Sequence, residues 1–520
     1  MAERRKVVVF DDDPTGSQTL HSCPLLLRWD AASLRAGLAH PSPFLFLLAN
    51  TRALDPPVAA ARVRAICRAL GPALEAARAA GLIGRWLLVS RGDSTLRSHF
   101  PLEVDVITAE LGGPEGFDAT LVVPAFLPGG RTTSDGVHFL HGEPVHTTAF
   151  ARDRLLGYSS SFLPAWVEEK SGGRIPADAV ERLGLAALDA AAADHPAGDG
   201  ESDTTEGPGF RALCEWLAGL AGNRCVVVDA ERPQQLAALG AAVRELTAPT
   251  SAERWGRPRR FLFQAAASLL NALAPIGAPP LDPAALAGLR RRDADGGWLP
   301  GLVLVGSHVP LADAQLQVLL AEPGCAGIEL EVAKVARVLQ GPVSGELLAS
   351  LERAWLRRLE AALGGGRTPV LFTSRGELHC RSAGERRRLG LELAALMARL
   401  AAALAPRLGY LISKGGITTH TLLAEGLGAG RLELQGQLLP GLSLVRLPAG
   451  DPALAEALAG LPVLTFPGNL GDADSLRQAW ALMERPEPVS QPLLSAAVTA
   501  GSAPVAGSAN GPRPAPPPGG

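Results

Sequence analysis

The chain has 520 residues, a formal net charge of −3 and an apolar fraction of 47%. That length exceeds what one hydrophobic core organises, so two domains are expected, and the charge lacks the basic excess of a nucleic-acid binder. Lysine is scarce: Lys6, Lys170, Lys334 and Lys414 are the only four, and arginine supplies the rest of the positive charge. Six cysteines are scattered without a C-x-x-C pair, which points to buried thiols rather than a zinc or redox site. No apolar stretch of the sequence reaches the roughly 18 residues of a membrane span. The start MAERRKVVVFDDD has too short an apolar run for a leader peptide, so a cytoplasmic protein with no membrane partner is expected.

In chain order, short apolar runs alternate with longer helical patterns. KVVVF (6–10) and FLFLLAN (44–50) read as strands, the second followed by an Ala/Arg-rich helix over about 57–80. RWLLVS (85–90), ATLVVPA (119–125) and CVVVDA (225–230) are further strands, and a helix is expected over 232–246. The Pro- and Gly-rich stretch 275–298 reads as a linker. A second series follows: GLVLVGSH (301–308), a helix over 311–320, a long helix over 343–363, PVLFTS (369–374), a helix over 384–405, then YLISKGG, RLELQGQ, LSLVRL and PVLTFPGN, and a last helix near 473–484. This pattern predicts an α/β fold of two domains, each a mostly parallel sheet flanked by helices, with the active site in the cleft between them. The expected layout is a first domain over 1–274, the linker, a second domain over 299–485 and a tail over 486–520. The acidic, Gly/Pro-rich stretch 190–209 reads as an insertion; it and the tail lack the apolar residues to fold.

Three glycine-rich turns end apolar runs in the second half: Gly306-Ser307-His308, Gly415-Gly416-Ile417-Thr418-Thr419 and Gly468 to Asp472. Ligands of open parallel sheets bind outside the carboxyl ends of the strands, and glycine lets backbone N–H groups approach an anion. Each turn is also compatible with a plain strand-to-helix connection; three in one domain favour a phosphate cradle. No G-x-x-x-x-G-K-[ST] and no early G-x-G-x-x-G occurs, which argues against a P-loop protein and a dinucleotide-dependent oxidoreductase.

The first half ends its strands in polar clusters: Asp11, Asp12, Asp13, Thr15 and Gly16; Arg91, Asp93, Ser94, Thr95, Arg97 and His99; Gly130, Arg131, Thr132, Asp135 and His138. Arginines among hydroxyls suit a small acid bearing hydroxyl groups, because guanidinium binds carboxylate bidentately. An aspartate among them could take a proton from a substrate hydroxyl. The competing assignments are turn or cap roles for Asp12 and Asp13, and an ion pair of Arg97 with Glu103 or Asp105. His138, His141 and His146 read as a surface loop rather than a metal site.

These motifs, taken in order, resemble the four-carbon acid sugar kinase family, whose members phosphorylate threonate, erythronate and 3-oxo-tetronate. The resemblance runs from about Lys6 to Leu482, through Asp12-Asp13-Pro14-Thr15-Gly16, Asp93-Ser94-Thr95-Leu96-Arg97, PAFLPGGRTTSDGVH, Gly306-Ser307, Gly415 to Thr418 and Gly468 to Asp472. It implies an N-terminal acid-sugar domain and a C-terminal nucleotide domain, with ATP contacted by Ser307, Gly415, Gly416, Ile417, Thr418 and Gly468. Ile417 stands where many members carry glutamate, and Ser98 where many carry glycine. The expected activity is ATP- and Mg²⁺-dependent phosphorylation of a hydroxyl of a tetronate-type acid, with domain closure excluding water. Asp13 or Asp93 would be the base, and Asp12, Thr15, Gly16, Ser94, Thr95, Arg97 and Arg131 would bind the acid. A homodimer is compatible with this reading. A non-catalytic acid-sugar sensor of the same fold is the alternative.

Overall fold

The computed structural model describes residues 4–16, 19–153, 155–194, 207–340, 344–375, 382–451 and 454–485. The tail from 486 and residues 195–206 of the expected insertion lie outside them. The flanks of that insertion are helical, in Leu185–Asp194 and Pro208–Ala218.

In the first half the strands are β1 (Arg5–Asp11), β2 (Cys23–Leu26), β3 (Phe44–Leu48), β4 (Arg85–Arg91), β5 (Ala119–Val123), a small three-stranded sheet of β6 (Arg131–Ser134), β7 (Val137–Leu140) and β8 (Glu143–Pro144), then β9 (Glu181–Leu183), β10 (Arg224–Val228) and β11 (Phe261–Ala265). The second half contributes β12 (Gly301–Val305), β13 (Cys325–Leu330), β14 (Thr368–Thr373), β15 (Tyr410–Lys414), β16 (Arg431–Leu439), β17 (Leu442–Arg446) and β18 (Pro462–Phe466). The continuous apolar runs follow from burial on both faces. Along β1, Val7 and Val9 join the core on one side of the sheet, and Val8 and Phe10 join the core on the other.

The two expected sheets are fused into one of 15 strands, in the order β13-β14-β12-β15-β18-β17-β16-β2-β3-β1-β4-β11-β5-β10-β9. The seam is β16 against β2, antiparallel, with Arg431 opposite Leu26 and Leu434 opposite Cys23. Within the first half all main-sheet pairs are parallel. The β16–β17 and β17–β18 pairs are antiparallel, so the parallel block β12–β15–β18 runs opposite to β1–β3–β4 by ladder sense. Six steps of the sheet separate β15 from β1. At the usual twist of roughly 20–25° per strand, those steps rotate the strand direction by about 120–150°, which offsets the reversal. The carboxyl ends of both blocks can therefore face one cleft.

Helix Ala383–Leu404 corrects one expectation. Over Gly384–Arg407 it is long and apolar enough to cross a membrane, with a mean hydropathy of 1.5 in its best window, half of which is buried in the fold. Leu396, Met397 and Leu400 pack into the core, so the helix serves the interior of the second half. The expected linker carries a short helix, Pro283–Ala287, whose Leu286 is fully buried. Cys23, Cys67, Cys214, Cys225 and Cys325 are all buried; Cys380 lies outside the described residues.

Candidate active site

Two of the glycine turns and the acidic and basic clusters meet in one cleft of about 370 Å³; the first turn reaches it only through Val309, and Ser307, Gly415 and Thr418 are not in its lining. Asp13, Thr15, Asp93, Ser94, Arg97 and Arg131 line it from the first half, and Ile417, Gly416 and Gly468 from the second.

On the second-half side, three parallel strands deliver the turns side by side. Val305 of β12 pairs with Lys414 of β15, which pairs with Phe466 of β18. The Gly306 amide donates to the Lys414 carbonyl (3.1 Å), and the Gly415 amide to that of Phe466 (2.9 Å). Gly415 has φ +115°, open only to glycine, and a Cβ there would press on Ser307. A Cβ on Gly468 would lie 2.6 Å from Ser307 Oγ, and one on Gly306 would collide with Thr418 Oγ1. Gly415 and Gly468 thus pack closely on Ser307, and Gly306 on the Thr418 side chain, while Gly416 faces Asp13. Helix Gly416–Thr421 starts from the second turn, and Ile417 at its mouth is 42% exposed. Arg375 braces the first turn by donating to the carbonyls of Ser307 and Val305 and pairing with Asp313 (2.9 Å). Gln315 braces the third through the carbonyls of Leu470 (3.0 Å) and Asp472 (2.6 Å).

Lys414 does not reach into the cleft. Its side chain is fully buried, its amine donates to the Pro467 carbonyl (2.9 Å) and sits 4.0 Å from the centre of the Phe466 ring. Burial pulls its pKa down to about 7.

On the first-half side, β1, β3 and β4 end together, with Asp11 opposite Leu48 and Arg91. Asp13 turns across the cleft: a Cβ on Gly416 would collide with its Oδ2. Its Oδ1 accepts from the amide and hydroxyl of Thr15, an Asx turn that fixes the carboxylate, so the turn role and the site role coexist. Asp12 is buried behind the cleft-lining Arg52 and Arg91 and is not itself in the lining. It is held bidentately by Arg52 (2.6 and 3.0 Å) and by Arg91 (3.2 Å). Gly16 packs against Asp11, leaving no room for a side chain. Burial pushes the Asp11 carboxyl up to about 8; Arg91 opposes this, and Asp12 and Asp13 add to it.

Asp93 is clamped by Arg97 (2.6 and 3.0 Å) and by the Thr95 amide (3.0 Å), with Arg52 at 3.8 Å. Burial alone would raise its carboxyl, but Arg97, Arg52 and the Thr95 amide outweigh that and hold it well below the ordinary carboxylate range. Arg97 thus pairs with Asp93 rather than Glu103 or Asp105, and its guanidinium lies 4.8 Å from the centre of the Phe150 ring. Thr95 sits behind the surface, accepting from Arg97 and Tyr158. The turn is tight enough to place Leu96 at φ +65°, a left-handed conformation that a leucine rarely adopts. Arg131 is the exception among these arginines. It is 9% exposed, its Nε has no partner, and among the described residues no carboxylate lies within ion-pair distance. Its guanidinium lies 5.6 Å from the centre of the Phe126 ring. His138 is fully buried on β7, not in a surface loop, and bonds the Ser94 carbonyl (2.8 Å).

Residues 7–273 match the family model described as a sugar-binding N-terminal domain, and residues 302–476 the one described as a nucleotide-binding C-terminal domain. The chain is 30% identical over 401 residues to a D-threonate kinase of Cupriavidus necator, covering 76% of this chain and 80% of the relative. It belongs to the four-carbon acid sugar kinase family. A second family relative, a D-threonate kinase of Bordetella bronchiseptica, is 35% identical over 136 residues, 25% of this chain and 31% of that one. The family fold recurs in a Salmonella typhimurium LT2 protein described as a tRNA synthase (TM-score 0.57, 17% identity, 91% of this chain and 98% of that one) and in a Haemophilus influenzae protein (0.54, 16%, 92% and 100%).

Sequence reasoning missed Asn50 and Arg52, which line the cleft at the end of β3, and left Arg91 without a role. The signal was the one used elsewhere, polar residues at the carboxyl end of an apolar run. Of the other cleft-lining residues, Asn469 and Leu470 belong to the Gly468–Asp472 turn singled out above, whereas Phe150 and Val309 carried no sequence signal.

Proposed function

We propose that this chain is an ATP-dependent kinase that phosphorylates a hydroxyl of a tetronate or 3-oxo-tetronate. The observation that carries the reading is Arg131, a buried guanidinium without a carboxylate partner, in the same cleft as two of the glycine turns. A buried unpaired charge is costly unless a ligand completes it. A substrate carboxylate does so bidentately, with the outer face of Arg97 beside it. Asp13 then meets the far end of a short acid: its Oδ2 is directed at Gly416, where a phosphate would rest on the backbone amides. Asp13 orients the attacking hydroxyl and accepts its proton. A new O–P bond forms to the γ-phosphorus as the bond to the β–γ bridging oxygen breaks, and ADP leaves with that electron pair. Asp93, held by two arginines, supports Arg97 in this scheme rather than acting as the base.

Mg²⁺ fits as a cation carried in by the triphosphate, for which few protein ligands are needed. Asn469 is the oxygen-bearing side chain of the second half in the cleft lining that would hold it, and when bound it would supply neutralisation of phosphate charge.

ADP release measured against a panel of tetronates tests the reading. Turnover that requires both ATP and an acid supports it. Tight binding of an acid with no ADP formed would support the sensor, for which the apolar Ile417 in the cleft is the structural argument. No binding of either ligand would overturn both.

A further inference from the structure

Lys414 is the one lysine at the nucleotide turns, and the scheme above gives it no task. Its amine is sealed under the Pro467–Gly468 turn and has one acceptor, the Pro467 carbonyl. The other buried lysine, Lys6, has two carbonyl acceptors, those of His40 and Ser42. Among the described residues no carboxylate lies within ion-pair distance of Lys414. The titratable and charged groups on neighbouring elements are His308 after β12, Arg375 after β14, His420 on helix Gly416–Thr421, and Asp13 across the cleft. His308 bonds Thr373, Arg375 is paired with Asp313, and Asp13 is held by Thr15 and Arg52. None of them supplies a counter-charge to the amine.

A buried amine in that setting favours its neutral form until an anion arrives nearby. The glycine turns that would receive the triphosphate flank Lys414 on both sides: Gly415 is its neighbour in sequence, and Gly468 follows the carbonyl that it holds. We propose that Lys414 is a positioning residue of the nucleotide turns whose buried amine takes up a proton when nucleotide binds, the phosphates supplying the missing counter-charge. The ammonium then holds the Pro467 carbonyl more firmly, keeping the Gly468 amide turned toward the phosphates. This rests on the nucleotide reading of the cleft.

The test is titration calorimetry of the full chain with ADP and Mg²⁺ at pH 8, in buffers of different ionisation enthalpy. At that pH the nucleotide phosphates are already ionised. His308 and His420 are both neutral, because burial lowers each of them. The expected result is uptake of about half a proton or more at pH 8, falling toward zero near pH 6. Lys414→Arg, charged at both pH values, should bind with no uptake, and Lys414→Met should bind more weakly, also with none. Nucleotide binding without proton uptake by the wild type overturns the inference and leaves the kinase reading standing. Uptake that persists in both variants assigns the proton to another buried group, such as the carboxyl of Asp11 or Glu103, and also overturns it. Absence of nucleotide binding by the wild type takes down both.

Discussion

Replacing Arg131 by methionine separates a residue kept for a ligand from one kept for the fold. Arg131 is buried, pairs with no carboxylate among the described residues, and carries an Nε without a partner. Methionine of similar volume removes an uncompensated charge, so the melting temperature of the free protein should hold or rise. A charge-assisted hydrogen bond to a substrate carboxylate contributes about 1.5–3 kcal/mol, which corresponds to a loss of roughly 10- to 150-fold in kcat/KM. The loss should be confined to acids; the matching amide or alditol, already a poor substrate, should change little. A turnover-independent check is ligand-induced stabilisation. At a tetronate concentration of about 100 Kd the wild type should gain about 2.7 kcal/mol, and Arg131→Met little of it. If Arg131→Met lowers the melting temperature by several degrees while kcat/KM for the acid is unchanged, the residue belongs to the scaffold and the argument fails.

Asp13→Asn should lower kcat by roughly 10²–10⁴-fold, the range of a lost general base. Asp93→Asn, which loosens Arg97, should act mainly by raising KM; steady-state kinetics showing the reverse order would exchange their roles. Gly416→Ala drives a methyl group into Asp13 and should abolish most turnover while the fold survives, read by kinetics beside a thermal melt. Asp11, with its folded pKa raised to about 8, stabilises the fold in its protonated form at low pH, and that contribution is lost as pH rises through about 8. Asp11→Asn mimics the protonated form, so its melting temperature should change less than the wild type's between pH 6 and 9; parallel curves would refute this.

Much of the site was legible because its logic is local. A glycine or a hydroxyl-and-arginine cluster at the carboxyl end of an apolar run says where a ligand can sit, and the ends of β1, β4, β5, β12, β15 and β18 announced themselves this way. Arg52 escaped because it stands just past the strand end read at Asn50, in the short approach to the following helix, where no glycine or hydroxyl cluster marks it. Asp12 escaped for another reason: three consecutive aspartates look alike in sequence. Only the packing shows that Asp11 is buried against Gly16, Asp12 is locked to Arg52 and Arg91, and Asp13 faces the cleft. The fusion of the two sheets was out of reach because its seam depends on Cys23–Leu26, four residues with no periodicity of their own, pairing with a strand about 400 residues away.

That seam has a mechanical consequence. A hinge opening between the halves would have to tear the ladder joining Cys23–Leu26 to Arg431–Leu434, together with the amides of Leu27 and Arg28 that are tied to the Gly430 carbonyl. Such a tear is costly in a buried sheet, so a closure that shuts the cleft would move loops or bend the sheet rather than part the two halves at this seam. On the proposed reading, the ladder then keeps Arg131 and the Gly416 turn on one framework, and an acceptor would be chosen partly by its reach between them.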